Sequence, residues 1–188
     1  MRGVKVAEVC TSCELLIEQQ QFNQAVSVLE AAHLNIDDRD DADKLFKIFE
    51  RLPELYFQNT ISIALLFAQV LSRTQRMNEL LEFSFTILER YGLAHAASIT
   101  VIRSVGLAEM NRQPEARKLL EQAIPHLSGE MLGAAWARLG LTRFQLGEPW
   151  LEGFQHARSF LSGIELGKAL LNEGACFVQS NQIGRAHV

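Results

Sequence analysis

The stretch Trp136-Ala137-Arg138-Leu139-Gly140, followed by Phe144 and Gly147, places large and small side chains at the spacing of a helix that packs against a second helix. Large residues fill the space between two helices, and glycine allows their backbones to approach closely. The stretch therefore predicts the first helix of a helical pair, with Gly147 in the turn that ends it.

Weaker copies of this pattern occur upstream. A small or apolar residue begins the core face of the second helix in each predicted pair, at Ala25, Leu80, Ala116 and Gly153. These residues are 55, 36 and 37 positions apart, and the last two separations are close to the roughly 34-residue period of helix-turn-helix repeats. The longer first gap has room for one additional helix. Asp41 to Arg51 supplies it, because its apolar residues recur at helical spacing behind an acidic start.

The sequence thus predicts an all-α chain of about four and a half helical units within residues 1–182. The units cover residues 4–34, 41–91 with the additional helix, 94–126, 130–161 and 164–181. The complete pairs are Val4 to Gln20 with Phe22 to Leu34, Asn59 to Arg73 with Met77 to Tyr91, Ala94 to Asn111 with Pro114 to His126, and Glu130 to Leu146 with Trp150 to Leu161. The fifth unit, from Ile164, lacks a second helix, so we expect an exposed apolar face that supports self-association.

The fourth unit resembles a tetratricopeptide repeat. Trp136, Leu139, Gly140, Phe144 and Gly147 resemble the first-helix signature of that family, and Ala25 and Ala116 resemble its second-helix signature. In the third unit Thr100 and Ser104 stand where an aromatic and a small residue are usual. The resemblance implies a right-handed α-solenoid whose first helices line a binding face for a protein or peptide partner.

A second resemblance concerns the segment from Phe49 to Glu82. Phe49-Glu50-Arg51-Leu52-Pro53-Glu54, the apolar helix Asn59 to Ala68 and the helix at Leu80-Leu81-Glu82 are similar to the helical-repeat region of large bacterial regulators of the maltose-activator type. They are also similar to regulators that carry a bacterial transcriptional activator domain. The resemblance implies the sensor or scaffold region of a transcriptional regulator. A stand-alone adapter or assembly scaffold and the helical cap of a larger signalling ATPase are the alternatives.

The last six residues, Ile183-Gly184-Arg185-Ala186-His187-Val188, resemble the translation of a widely used sequencing-library adapter. Terminal scars of this kind are set aside before a fold is considered. We therefore expect residues 183–188 to be a non-native tail and the native chain to continue past about Gln182. A native polar tail is the alternative.

Charge and composition narrow the classes of partner. The 188-residue chain has a net charge of −4, and its lysines and arginines form no basic stripe of the kind that binds phosphates, so this region is not expected to bind nucleic acid directly. The longest apolar segment, Ile63 to Ala68, is far shorter than the roughly 20 residues of a membrane span. The start MRGVKVAEVC lacks an extended apolar secretory core, which predicts a cytoplasmic location and no membrane partner.

Cys10-Thr11-Ser12-Cys13 has the spacing of half a redox or zinc site, but no second pair accompanies it. Cysteines three residues apart share one face of a helix. Core packing is therefore the favoured interpretation, and a redox or metal role is the alternative.

Gly163-Ile164-Glu165-Leu166-Gly167-Lys168 superficially resembles a phosphate-binding loop. It has three residues between the glycines instead of four, and Ala169 stands where Ser or Thr would bind magnesium. We instead expect a helix stop at Gly163 and close helix packing at Gly167.

No pattern of catalytic or metal-binding residues is visible. The five histidines are never four residues apart, so none shares a helical metal face with another. No nucleophile has an evident activating partner. The sequence therefore predicts a protein that is not an enzyme and that uses no metal or cofactor.

A binding groove is predicted from the inward side of the first helices. Its polar candidates are Glu14, Gln69, Arg73, Glu109, Gln145 and Lys168. Apolar positions lie between them at Cys10, Leu65, Val101, Ala137 and Leu171. An apolar floor with few charges suits an amphipathic helix or an extended peptide. The alternative is that individual residues of this set are only solvated or buried in the core.

Overall fold

The computed structural model describes residues 5–32, 34, 36 and 38–186, with the side chains of residues 181–186 left aside. The described residues form ten α-helices, a short 3-10 turn at Ile124–His126 and no strand, which confirms the all-α class. The helices are α1 Val6–Glu18, α2 Phe22–Ala31, α3 Arg39–Arg51, α4 Glu54–Gln58, α5 Ile61–Arg73, α6 Met77–Glu109, α7 Gln113–Ala123, α8 Gly129–Gln145, α9 Leu151–Arg158 and α10 Gly163–Ala186. Val4, His33 and the last two residues, which the predictions included, lie outside the described residues.

The chain divides into two compact units, Met1–Gly92 and Leu93–Val188. The boundary falls inside α6, where Gly92 has a φ of +73°. This left-handed conformation ends helices and favours glycine because a side chain would be strained there. The sequence predicts two helices here, Met77 to Tyr91 and Ala94 to Asn111, whereas the structure has the single helix α6 with Gly92 inside it.

One type of turn ends four of the helices. Gln20, Gln75, Asn111 and Gly147 have φ values of 59°, 59°, 58° and 70°, and they are 55, 36 and 36 residues apart. In each turn the next amide donates to a carbonyl five residues earlier, as in Gln21 to Leu16 at 2.8 Å and Glu148 to Arg143 at 2.9 Å. These are the bonds of a Schellman cap. The same backbone geometry therefore recurs at near-regular intervals.

A small buried residue precedes each of these turns by seven positions. The four residues are Cys13, Ala68, Ser104 and Gly140. The Cys13 thiol donates to the carbonyl of Ala25 at 3.6 Å. In the fourth pair, a Cβ on Gly153 would meet the α-carbon of Gly140 at 2.7 Å. In these two pairs, the two helices cross at the small residue.

The core of the first unit is rich in phenylalanine. Phe67 lies at its centre, with ring centroids 4.7 Å from both Phe49 and Phe57 and 4.9 Å from Phe83. Helix α3 carries Phe49 and packs against α1 and α5. The additional helix predicted at Asp41 to Arg51 therefore contributes to the core beside two first helices.

Helix α4 is not predicted by the sequence, which indicates only a turn at Leu52-Pro53-Glu54. Pro53 takes the N-cap position, where its missing N–H costs nothing, and five residues of helix follow. The Tyr91 hydroxyl donates to the Gln58 carbonyl at 2.8 Å, which satisfies a backbone group at the end of α4. Helix α4 packs against α2 and α5.

The second unit has two apolar clusters that Trp136 joins. One contains Leu120, Ala135 and Leu139, and the other contains residues of α9 and α10. The Trp136 ring is half-buried and stacks on the His156 ring at 4.5 Å. Helix α9 ends at Arg158, three residues earlier than predicted, whereas α10 continues to Ala186.

Candidate functional site

The six polar residues predicted to line a groove are divided between the two units. The first unit contains Glu14, Gln69 and Arg73, and the second contains Glu109, Gln145 and Lys168. Five are exposed, and Gln69 is half-buried. Lys168 pairs with Glu165 on its own helix, with Nζ 2.6 Å from Oε1. Gln145 lines a cleft in the second unit.

The apolar positions between these residues differ in accessibility. Val101 is 6% exposed and packs with Leu120 and Leu139, so a ligand could not reach it. Cys10 is also buried, whereas Leu171 is 76% exposed. Leu65 and Ala137 are half-buried. Cys10 and Val101 therefore belong to the core and do not form the floor of a groove.

The cleft has a volume of about 690 Å³. It lies among the start of α7, the end of α8, the turn between α8 and α9, and α10. The lining side chains include the rings of Phe144 and Trp150, the amides of Gln113, Gln145 and Gln179, the Glu148 carboxylate and the Ser180 hydroxyl. The left-handed turn at Gly147 reverses the chain and so brings Trp150 beside Phe144.

Aromatic rings form one wall of the cleft. Trp150 contacts the edge of Phe144, with ring centroids 5.7 Å apart. The same indole contacts Phe177 of α10 at 4.9 Å and Phe154 of α9 at 5.9 Å. Edge-to-face contacts of this kind favour a fixed ring orientation. The wall is therefore an apolar surface that is held from three helices.

The charged groups beside the cleft are paired. Glu148 forms a close ion pair with Arg117 of α7. Glu121 lies 3.9 Å from Arg117 and 3.1 Å from Arg143, and Arg143 is also 3.9 Å from Glu152. Alternating charges thus form a network across α7, α8 and α9. Arg117 therefore compensates most of the negative charge that Glu148 would present to a molecule in the cleft.

The rest of the polar rim consists of amides and one hydroxyl. Gln145 and Gln179 are exposed, and the Gln113 Nε2 donates to the Ala108 carbonyl at 3.3 Å. The Ser180 hydroxyl donates to the Cys176 carbonyl at 2.8 Å. A glutamine amide both donates and accepts hydrogen bonds, as a peptide group does. The rim is therefore suited to uncharged polar groups, above all to a peptide backbone.

The cysteine pair is buried and unreactive in character. Cys10 and Cys13 are free thiols. Burial raises the pKa of each to about 11, and the charge of Glu14 adds to the effect at Cys10. Metal binding and thiol chemistry need the thiolate. The geometry supports the interpretation of core packing.

The segment Gly163 to Lys168 begins α10. The predicted helix stop at Gly163 is wrong, because α9 already ends at Arg158 and Gly163, with a φ of +51°, is the first residue of α10. The predicted close packing at Gly167 is wrong, because a Cβ there would meet none of the described atoms within 4 Å. Lys168 is paired with Glu165, not positioned in a phosphate loop.

Within residues 5–32, 34, 36 and 38–186, no three histidine, cysteine or acidic side chains come together as metal ligands. In the same ranges, no helix has both the length and the apolar character of a membrane span. His126 is exposed in the 3-10 turn, and His156 lies 3.6 Å from Glu152 while it stacks on Trp136.

Sequence reasoning identifies Gln145 but misses Gln113, Glu148, Trp150 and Gln179. A signal exists for Gln179: residues 129–147 and 163–181 align without gaps and share six identical residues, of which Gln145 and Gln179 are one pair. The other three come from segments that only the folded chain brings together. No family model, curated protein or solved structure matches the chain.

Proposed function

We propose that this chain is a protein-interaction module of tetratricopeptide-like helical pairs whose second unit binds an uncharged peptide segment in the cleft. The observation that carries the proposal is the cleft itself, in which an aromatic wall faces an amide rim. The recurring left-handed turns support the repeat assignment. Its finer form, a right-handed solenoid, rests on the resemblance of the fourth unit to a tetratricopeptide repeat.

The proposed ligand follows from the chemistry of the walls. An apolar or aromatic anchor side chain packs on Phe144 and Trp150, where it loses contact with water. The backbone of the bound peptide exchanges hydrogen bonds with Gln145 and Gln179. A charged ligand fits less well, because Arg117 already satisfies the Glu148 carboxylate. The module accordingly binds without chemical conversion of its ligand.

Selection from a random displayed peptide library against the full chain tests this proposal. We expect the selected peptides to share one apolar anchor and no net charge. Their affinity should fall about threefold to tenfold in Gln145→Ala and in Gln179→Ala, the usual effect of one lost hydrogen bond.

Gln24→Ala provides a matched control, because Gln24 is an exposed glutamine on α2 of the first unit, as Gln145 and Gln179 are exposed in the second. It should leave the affinity unchanged. Selected peptides that bind the two cleft variants as tightly as the wild type would place the binding site elsewhere and refute the proposal.

We further propose that the module is the sensor or scaffold region of a bacterial transcriptional regulator, with a stand-alone adapter as the alternative. The support is the resemblance of the segment from Phe49 to Glu82. Its Leu52 is buried and its Pro53 takes the N-cap position of α4, so the Leu-Pro-Glu turn has a structural role. Genomic sequence beyond the codon for Gln182 is the test: a frame that continues into a DNA-binding domain supports the regulator, and repeats alone favour the adapter.

A further inference from the structure

Helix α10 exposes a row of apolar residues along one face. Ile164, Leu171 and Val178 are 73%, 76% and 57% exposed. Gly167 and Gly174 lie between them at spacings of three and four residues, so all five share one face of the helix. We call these five residues the α10 stripe. The opposite face is buried through Ala169, Glu173 and Cys176.

The α10 stripe repeats a stripe of α8 that is covered. Gly133, Ala137, Gly140 and Phe144 occur 34 residues before Gly167, Leu171, Gly174 and Val178. A Cβ on Gly133 would meet the Leu161 side chain at 2.7 Å, and one on Gly140 would meet the Phe154 ring at 3.0 Å. Helix α9 and the residues after it therefore lie on the α8 stripe.

No described atom takes the same place on α10. A Cβ on Gly167 or on Gly174 would meet nothing within 4 Å in the part of the chain that the structure describes. Both α8 and α10 thus carry notches at their glycines that can accept a crossing helix. In α10 no described residue fills these notches. The notches of α10 therefore fit a helix whose large apolar side chains enter them, as Leu161 and Phe154 do on α8.

The uncovered face is continuous with the interface between α8 and α9. Phe177, next to Val178, contacts Trp150, whose ring also contacts Phe144 and Phe154. Phe177 is 45% exposed. The aromatic layer that joins α8 to α9 thus extends to the edge of the α10 stripe.

We propose that the α10 stripe is the contact surface for α10 of a second copy of this chain. A helix that fills the notches must carry large apolar side chains, and α10 itself carries them beside its own two glycines. In an antiparallel pair related by a two-fold axis, Leu171 of each copy lies opposite Gly174 of the other, and Val178 lies opposite Gly167. Each large side chain then enters a glycine notch, and the same patch serves both copies.

Charge agrees with this pairing. Lys168 is the charged residue that borders the α10 stripe between Ile164 and Val178. Its Nζ is paired with Glu165 of its own helix at 2.6 Å. In the antiparallel arrangement Lys168 lies opposite Phe177, so like charges do not face one another. Two neutral apolar faces can therefore meet without the burial of an unpaired charge.

Sedimentation velocity of the full chain, from low micromolar to several hundred micromolar, tests the proposal. We expect a monomer–dimer equilibrium that stops at the dimer. Leu171→Asp should raise the dissociation constant at least about tenfold, because it would bury an unpaired charge. Leu55→Asp is the matched control, since Leu55 is 62% exposed on α4, and it should leave the equilibrium unchanged.

Gly174→Leu distinguishes a dimer that fits specifically at the glycine notches from non-specific apolar association. This substitution fills the notch while it adds exposed apolar surface, so it should weaken the proposed dimer by about tenfold or more. Stronger association in Gly174→Leu would overturn the proposal. A monomer at the highest concentration, open-ended oligomers, or a dimer that Leu171→Asp does not affect would also overturn it.

Cross-linking tests the pairing of residues. Mixed Leu171→Cys and Gly174→Cys chains should form a disulfide between the two variants faster than either variant forms one with itself. Equal rates in all three mixtures would refute the stated alignment. None of the α10 stripe residues lines the cleft. A protein that does not dimerise could therefore still bind peptides in the cleft, so the dimer proposal and the peptide-binding proposal can fail independently.

Discussion

Gly140 and Gly153 are in direct backbone contact: a Cβ on Gly153 would lie 2.7 Å from both the α-carbon and the nitrogen of Gly140. It would also lie 2.9 Å from the carbonyl oxygen of Trp136. Backbone atoms cannot rotate away as a side chain can. The crossing of α8 and α9 therefore depends on the absence of a side chain at Gly153.

Gly153→Ala should lower the free energy of unfolding by about 1–3 kcal/mol, the usual cost of overpacking in a core. Gly174→Ala is the matched control, because its Cβ would meet no described atom within 4 Å. There alanine should stabilise the helix by about 0.5–1 kcal/mol. Urea denaturation at low protein concentration measures both. Similar changes in the two variants would show that α8 and α9 do not cross as described.

The left-handed turn at Gln75 leads to a second prediction. A residue other than glycine at a φ of 59° is strained by roughly 1 kcal/mol. Gln75→Gly should therefore stabilise the first unit by up to about 1 kcal/mol. Gln69→Gly, in the interior of α5, should destabilise it by about 1 kcal/mol. Chemical denaturation of both variants gives the comparison, and a loss of stability in Gln75→Gly would argue against the left-handed turn.

Helices with a periodic apolar face and a local stop could be predicted from the sequence. The predicted helix Glu130 to Leu146 differs from α8, Gly129–Gln145, by one residue at each end. Its pattern of large and small residues and its turn glycine lie within the segment itself. Helix α4 could not be predicted in this way, because five residues are too few to show a period.

Features that depend on packing were less accessible to sequence analysis. Glycine in a helix predicts close approach, and this holds at Gly140 but not at Gly167. The difference lies in whether another helix is present, which the local sequence does not encode. The cleft is a similar case, since Gln113, Trp150 and Gln179 come from separate segments. The left-handed turns at Gln20 and Gln75 carry no sequence signal, since glutamine does not favour that conformation.

The buried thiols give a third prediction, on pH. Burial raises the pKa of Cys10 and Cys13 to about 11 in the folded chain. The unfolded chain loses these protons near pH 9, so above that pH the folded state binds more protons than the unfolded state. The free energy of unfolding must then fall as the pH rises from about 9 to about 11, on the order of 2 kcal/mol per thiol.

The Cys10→Ala/Cys13→Ala double variant is the comparison for this effect. Tyrosine and lysine also titrate in this range, but they do so in both proteins, and their contribution cancels in the difference. Stability measured by urea denaturation at several pH values should decline less steeply in the double variant. Parallel profiles for the two proteins would mean that neither thiol is buried as the structure has it.

The fourth prediction concerns Glu173, a charged residue at a core position where the matching helix α8 has a leucine. It is 4% exposed and forms an ion pair with Arg158, whereas Leu139, 34 residues earlier in the matching helix, is an ordinary core leucine. A buried ion pair is often no more stable than a well-packed apolar residue, but removal of one partner leaves an uncompensated charge.

Glu173→Leu should therefore be neutral or should raise the free energy of unfolding by about 1 kcal/mol or more. Arg158 keeps access to solvent in this variant, since its side chain is 47% exposed. Arg158→Ala should instead lower the melting temperature, because Glu173 would remain buried without its partner. The double variant should then melt close to Glu173→Leu alone, since the cost of Arg158→Ala depends on the carboxylate. Additive effects would show that the two side chains do not interact, and α10 would then have to be held on α9 by its apolar contacts alone.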